Sequence, residues 1–315
     1  MKIALCFIIS YEHIVNKEHI WREWIEPNKD IINVYFYYKD LKKIKSKWIM
    51  EHTIPPNFIY ETSYYHVIPA YTSILKFSFN HDTENKWFCL LTDSCCPIIS
   101  PKKLRYLFYK EYNYSLFSWK QAWWNPYYHK RGNLAKLPKD IWLANDPWFI
   151  LTRVNVEQVI YFVSTQRNIT DTICSGGLAN ETLFAVIFKY YKEIDSQNKK
   201  KSNIKCVSTH ITDWSRCSST TSPHVFKIAD EKDIKFIDKE LERNPYNVFI
   251  RKVAPEFPDE ILRYYIYEKN KEKDNQLILI EQFDVIISKY GFMVKKHIYI
   301  LLILALFYLL FLYII

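Results

Sequence analysis

Four short polar clusters hold the side chains of this sequence best suited to chemistry: Asp93-Ser94, Asn180-Glu181, Asp213-Trp214-Ser215 and Arg251-Lys252. A carboxylate at the edge of a buried element can take a proton from a hydroxyl while nearby cations receive a phosphorylated leaving group. Each cluster alone has a plainer use as a cap, a turn or a surface pair. Glu181 at the start of a helical pattern, for example, suits the helix dipole.

The surrounding elements decide whether such groups can meet. Residues 87–92 are a continuous apolar run that stops at Asp93-Ser94, as a strand buried on both faces would. In open α/β sheets, ligands sit at the carboxyl ends of such strands. Residues 2–10 and 31–38 read as two more strands, and 19–25 and 69–79 as helices, the latter with proline in its first turn. Strand, helix, strand, helix, strand is the doubly wound pattern. The lysine-rich residues 39–47 read as a solvated helix face. Pro101 opens another helix, and 142–153 leads into a helix over 154–163. Residues 180–192 read as an amphipathic helix. The aromatic run Trp119, Trp123, Trp124, Tyr127 and Tyr128 is equally suited to stacking on sugars and to core packing.

Composition narrows the classes. The 315 residues are 49% hydrophobic with only 4 Gly, enough for one large core but without a glycine-rich phosphate loop. The net charge of +9 is spread along the chain, and no nucleic-acid module is present. Seven cysteines lack C-x-x-C spacing, which argues against zinc; their number leaves room for one or two disulfides. At the C-terminus, residues 298–315 are all aliphatic, aromatic or Ala and follow Lys295-Lys296-His297. Eighteen helical residues span about 27 Å, close to the ~30 Å hydrocarbon core. The expectation is a single-pass tail anchor over 297–315, preceded by an extension and stalk over 259–296. The lysines flanking the span put the domain in the cytosol.

Order and wording add a resemblance. Ser94-Cys95-Cys96-Pro97-Ile98 is similar to the S-C-I-P-L motif of the core-2/I-branching N-acetylglucosaminyltransferase family, which also includes xylosyltransferases. Trp142 through Trp148-Phe149 to Arg153 resembles its W-R-K-G-S-Q-W-F…R segment, and Asn180-Glu181-Thr182-Leu183 its D-E-H-Y/F helix start. Asp213-Trp214-Ser215 with Pro223-His224-Val225-Phe226 resembles its D-W-S…H-P…F stretch. Phe249-Ile250-Arg251-Lys252-Val253 resembles its closing F-A-R/N-K-F. The five run in order over residues 1–258.

The resemblance implies a GT-A type α/β fold: an open, mostly parallel sheet flanked by helices. It implies inverting, metal-independent transfer of a sugar, N-acetylglucosamine or xylose, from a uridine diphosphate donor to a glycan or glycoprotein hydroxyl. On it, Glu181 is the general base and Lys252 neutralises the departing diphosphate. Arg251 assists, Lys227 is the nearest match to a second family cation, and Asp93 with Ser94 shapes the donor pocket. Metal-dependent members of this fold carry D-x-D after the apolar strand; here Asp93-Ser94-Cys95 lacks the second carboxylate. A lone carboxylate is a poor magnesium or manganese site, since those ions take several hard oxygens. Asn180 replaces the family's acidic residue before the base, which keeps a second reading in play: a catalytically degenerate, membrane-anchored binding protein. The sequon Asn180-Glu181-Thr182 touches the base, and a glycan there would obstruct it, in line with a cytosolic domain.

Overall fold

Three strands buried on both faces set the centre of the molecule: β1 (Lys2–Ile8), β2 (Ile32–Tyr37) and β3 (Asn85–Thr92). They pair in parallel, with Ile3 opposite both Ile32 and Trp87. The structure, a computed structural model, describes residues 1–9, 12–63, 66–122, 131–194, 202–219 and 222–269. Shorter strands complete the sheets: β4 (Cys96–Pro97), β5 (Ser115–Leu116), β6 (Trp119–Gln121), β7 (Leu143–Asn145), β8 (Ile150–Thr152), β9 (Ile204–Lys205), β10 (His210–Thr212) and β11 (Phe249–Arg251). The main sheet runs β2-β1-β3-β8-β5-β9, with β8 antiparallel to both neighbours. A second sheet runs β10-β11-β4, and β6 pairs with β7.

The helices are α1 (Glu18–Ile25), α2 (Lys47–Glu51), α3 (Ile68–His81), α4 (Pro101–Glu111), α5 (Arg153–Thr165), α6 (Arg167–Cys174), α7 (Leu183–Tyr190), α8 (Glu231–Arg243) and α9 (Asp259–Arg263). The period-2 alternation of a strand sorts the central side chains into two cores. Ile3, Leu5, Phe7 and Cys89 face Trp21, Trp24, Leu104 and Phe108 on one side. Ala4, Cys6, Phe88 and Leu90 face α3, α5 and α7 on the other. Fully burying one such Leu or Phe contributes roughly 1.5–3 kcal/mol relative to leaving it exposed. Helices thus cover both faces of a mostly parallel sheet, as an α/β fold requires.

Several expectations need correcting. The lysine-rich residues 39–47 are not one helix; Asp40 caps a single 3₁₀ turn, Leu41–Lys43, by accepting from the Lys42 N–H. Residues 142–153 contain two strands, β7 and β8, rather than only an approach to α5. Residues 180–192 do not form an amphipathic helix: a 3₁₀ turn, Ala179–Glu181, precedes α7, whose Leu183 to Phe188 are all buried. The folded unit runs to Lys269, because α9 and a π turn over Tyr264–Glu268 bury Leu262, Tyr265 and Ile266. All seven cysteines are free thiols, so neither of the one or two disulfides for which their number leaves room is formed. The apolar run 298–315 lies outside the described residues, among which no helix is long and apolar enough to cross a membrane.

Candidate active site

β3 stops at Thr92 because Cys95 folds back on it: the Cys95 N–H donates to the Thr92 carbonyl (3.2 Å), and the Thr92 N–H to the Cys95 sulfur (3.4 Å). Two indoles fix the chain beyond this turn. Trp21 donates to the Cys95 carbonyl at 2.9 Å and Trp24 to the Ile99 carbonyl at 2.7 Å. Between them lies β4, which pairs antiparallel with β11, Cys96 opposite Ile250 and Pro97 opposite Phe249. The Val253 N–H donates to the Ser94 carbonyl (2.8 Å), while the Asn16 carboxamide donates to the Val253 carbonyl (2.7 Å). Two motifs more than 150 residues apart are thereby neighbours. Asp93, Ser94, Arg251 and Lys252 belong to one cluster.

The two cations of that cluster differ. Lys252 is half-buried and its Nζ donates to the Ser222 hydroxyl at 3.1 Å. Burial, then the charge of Arg251, draws the Lys252 ammonium below the usual lysine range, with Asp93 opposing. Arg251 is only 4% exposed, and its guanidinium lies 3.2 Å above the centre of the Trp148 ring. Its Nε and Nη1 are buried without a hydrogen-bond partner among the described residues. His210 on the adjacent β10 is buried too, donating or accepting at Thr209 through Nδ1 while Nε2 has no partner among them. Burial first, and Arg251 second, push the His210 imidazole well below its ordinary range, so it is neutral at pH 7.

The opposite side of the site is built around Glu181. Its Oε2 accepts from Arg131 Nη2 at 2.7 Å, and Arg131 Nη1 donates to the Thr182 hydroxyl at 3.3 Å. Arg131 is 4% exposed, whereas the Glu181 side chain is 30% exposed. The backbone of the turn is clamped as well. Asn145 Nδ2 donates to the Asn180 carbonyl at 2.8 Å, and Asn145 Oδ1 accepts from the Ala185 N–H at the start of α7. Asn180 is buried, which leaves no room for a glycan on that sequon.

Residues 145–148 connect the two sides. Asn145 holds the Glu181 turn, the Pro147 carbonyl accepts from the Tyr71 hydroxyl at 3.0 Å, and Trp148 lies under Arg251. The buried Tyr71 hydroxyl is pushed up mainly by desolvation; it also feels Arg251, which lowers it, and Glu181, which raises it.

The D-W-S stretch is largely occupied with its own fold. Asp213 is buried and accepts from the Ser215 N–H, the Ser215 hydroxyl and Arg216 Nε, the last at 2.6 Å. Burial opposes its charge, but these hydrogen bonds hold the Asp213 carboxyl below the usual carboxylate range. Arg216 also pairs with Asp233 at 2.9 Å. It directly follows Ser215, and two carboxylates already engage it. Lys227 is exposed, one residue beyond Phe226, whose N–H donates to the Lys252 carbonyl. Trp214 presents its indole to solvent, 51% exposed. Asp82 and Glu84 sit at the other end of β3, paired with Lys2 (3.0 Å) and the N-terminal amine (2.7 Å). Among the described residues no group of three or more His, Cys, Asp or Glu is arranged to hold a metal ion. Residues 123–130, with most of the aromatic run, lie outside the described residues.

Arg131 and Asn145 are not legible as site residues in the sequence alone. Neither belongs to one of the four polar clusters, and only the Trp142 to Arg153 segment, which contains Asn145, carries a signal.

A mostly parallel sheet flanked by helices, with polar clusters gathered at strand ends, is consistent with a GT-A glycosyltransferase domain. The family model of the Core-2/I-Branching enzymes matches residues 34–238, and the chain belongs to that family. It is therefore a glycosyltransferase of the N-acetylglucosaminyltransferase kind, acting on glycans. The match takes in Asp93, Ser94, Glu181 and Lys227 and ends before Arg251-Lys252. A comparison with curated proteins finds no match.

Proposed function

We propose that this protein transfers N-acetylglucosamine or xylose from a uridine diphosphate donor to a hydroxyl of a glycan or glycoprotein, with inversion and without a metal ion. Glu181 takes the proton of the acceptor hydroxyl while the acceptor oxygen attacks the anomeric carbon from the face opposite the leaving group. The anomeric carbon–oxygen bond breaks, its electron pair leaves with the diphosphate, and Lys252 receives that charge. Arg251 adds positive potential from behind. Asp93 and Ser94, tied to Val253, border the donor, and Lys227 is a peripheral cation next to Phe226, which bridges to Val253. The observation that carries this reading is the 145–148 segment, which contacts the Glu181 turn at one end and Arg251 at the other.

The metal-free step is supported by the donor set. The position of a second carboxylate is Cys95, whose thiol is pushed up by burial and is a poor ligand for hard cations. The apolar run 298–315 after Lys295-Lys296 supports a membrane anchor with the domain on the cytosolic side.

Donor turnover by the full chain in chelator tests the mechanism. Activity is expected to persist; loss in chelator with recovery in manganese overturns the metal-free step. Glu181→Gln is expected to lower turnover about 10²–10⁴-fold, the usual worth of a positioned base. A full rate in that variant removes Glu181 from the chemistry.

A further inference from the structure

Glu181 has three side-chain torsions and is partly open to solvent, yet a base must meet its proton at hydrogen-bond distance. The turn that carries it does not provide that order from its own sequence. Leu178 enters the 3₁₀ turn with φ 62°, and neither Leu178 before that turn nor Thr182 before α7 caps its element with its own side chain. The restraint on the carboxylate comes from elsewhere in the chain. Arg131, 50 residues upstream, reaches it from a buried position and grips Oε2. The same guanidinium spans to the Thr182 hydroxyl, itself buried, so the planar fork is fixed at two points. Oε1 has no hydrogen-bond partner among the described residues.

We infer that Arg131 is a positioning residue for the transfer step: it pins Oε2 of Glu181, leaving Oε1 as the atom that accepts the proton of the acceptor hydroxyl. The inference rests on the reading of Glu181 as the base. A third group that orients a base is a recurrent arrangement in proton-transfer sites. A mere packing role for Arg131 would leave the chemistry of Glu181 untouched; a positioning role acts only through it. The two roles therefore differ in their coupling.

The test is a double-mutant cycle on the full chain with Arg131→Met and Glu181→Gln, reading kcat, the donor KM and the melting shift produced by uridine diphosphate. Arg131→Met alone is expected to lower kcat roughly 10²-fold, the scale of a misplaced catalytic group, with donor KM and melting shift unchanged. Added to Glu181→Gln it changes kcat less than about twofold, as expected for residues acting as one unit. Arg131→Lys recovers part of the loss. Equal losses in both backgrounds overturn the inference, because Arg131 then acts independently of Glu181. A full rate for Glu181→Gln alone sinks the base assignment instead, which keeps the two failures apart. Should Arg131→Met not fold, Thr182→Val serves: it removes the hydroxyl that Nη1 donates to while keeping the volume. A several-fold loss of kcat that disappears in the Glu181→Gln background supports the inference, and a loss that persists there overturns it.

Discussion

The two sides of the site are held in opposite ways. Around Glu181 the charges and hydrogen bonds close on one another: Arg131 on the carboxylate, Thr182 on Arg131, and Asn145 on both the turn and the first residues of α7. Around Arg251 they do not. Two of its nitrogens, Nε and Nη1, and the Nε2 of His210 are buried without partners among the described residues, and Lys252 rests on a single serine hydroxyl. A buried N–H left unmet costs about 1–3 kcal/mol, and native folds rarely tolerate several together without a reason. The base side is assembled in advance; the cation side is left with surplus positive character, as suits a place where an anion arrives. On the proposed function, the difference fits binding of the leaving group on one side and control of geometry on the other.

Lys252→Met is the strongest attack on that division. If Lys252 receives the diphosphate as proposed, its removal is expected to lower kcat/KM for the donor roughly 10²–10³-fold, the size found for loss of one stabilising donor at a developing charge. It should also abolish the melting shift given by uridine diphosphate, which reports ligand binding to the folded state. Glu181→Gln should leave that shift intact. If the two variants instead lose the shift equally, binding is not confined to the Lys252 side and the contrast fails.

Arg251→Met sharpens the same comparison through stability. A buried charge with unmet N–H groups contributes little or nothing net, and apolar substitution at such positions is often neutral or stabilising by about 1–4 kcal/mol. Methionine keeps a contact with Trp148 and has no unmet donors. The expected outcome is an unfolding free energy equal to or above that of the wild type in the absence of ligand, together with weaker binding of uridine diphosphate. A loss of about 3 kcal/mol or more in urea unfolding would mean that the guanidinium is satisfied within the fold, and the cation side would then be as self-contained as the base side.

Much of this architecture is legible in the residues themselves. The run at 87–92 announces a strand buried on both faces, and the abrupt stop at Asp93 marks where it ends. Asp93-Ser94 and Arg251-Lys252 look unrelated by spacing, yet the pairing of β4 with β11 makes them neighbours. The hidden parts depend on contacts that sequence spacing does not encode. β7 and β8 have three residues each, too short to show alternation, and β8 is recognisable only through its pairing with β3 and β5. Leu183 to Phe188 of α7 are buried on every side against α3, α5 and β7, and only its last turn, Lys189 and Tyr190, reaches solvent, so the amphipathic pattern expected over 180–192 is confined to that end. Arg131 stands outside any motif and gains its meaning only by reaching Glu181. Arg216 escapes notice although it directly follows Ser215, because the cation is expected farther along the chain, at Lys227.

The smallest expected effect concerns His210, and it tests whether the cation side resists a further positive charge. Burial, then Arg251, holds the folded imidazole well below its ordinary range, while in the unfolded chain it titrates near 6.5. The unfolded state thus binds the additional proton first as pH falls, so stability is present above about 6.5 and is lost below it. Between pH 7.5 and 5.5 this amounts to about 1 kcal/mol for one histidine. Asp213 and Asp82, whose carboxyls are held low, lose their contributions only in more acidic solution, Asp82 on approach to about 2. His210→Phe retains the ring contact with Phe249, 5.0 Å between centroids in the wild type, and removes the titrating group. Urea unfolding at the two pH values should show a decline for the wild type that is about 1 kcal/mol smaller in the variant. An identical decline in both proteins would mean that His210 accepts its proton in the folded state, and that the region around Arg251 already contains the negative charge needed to balance it.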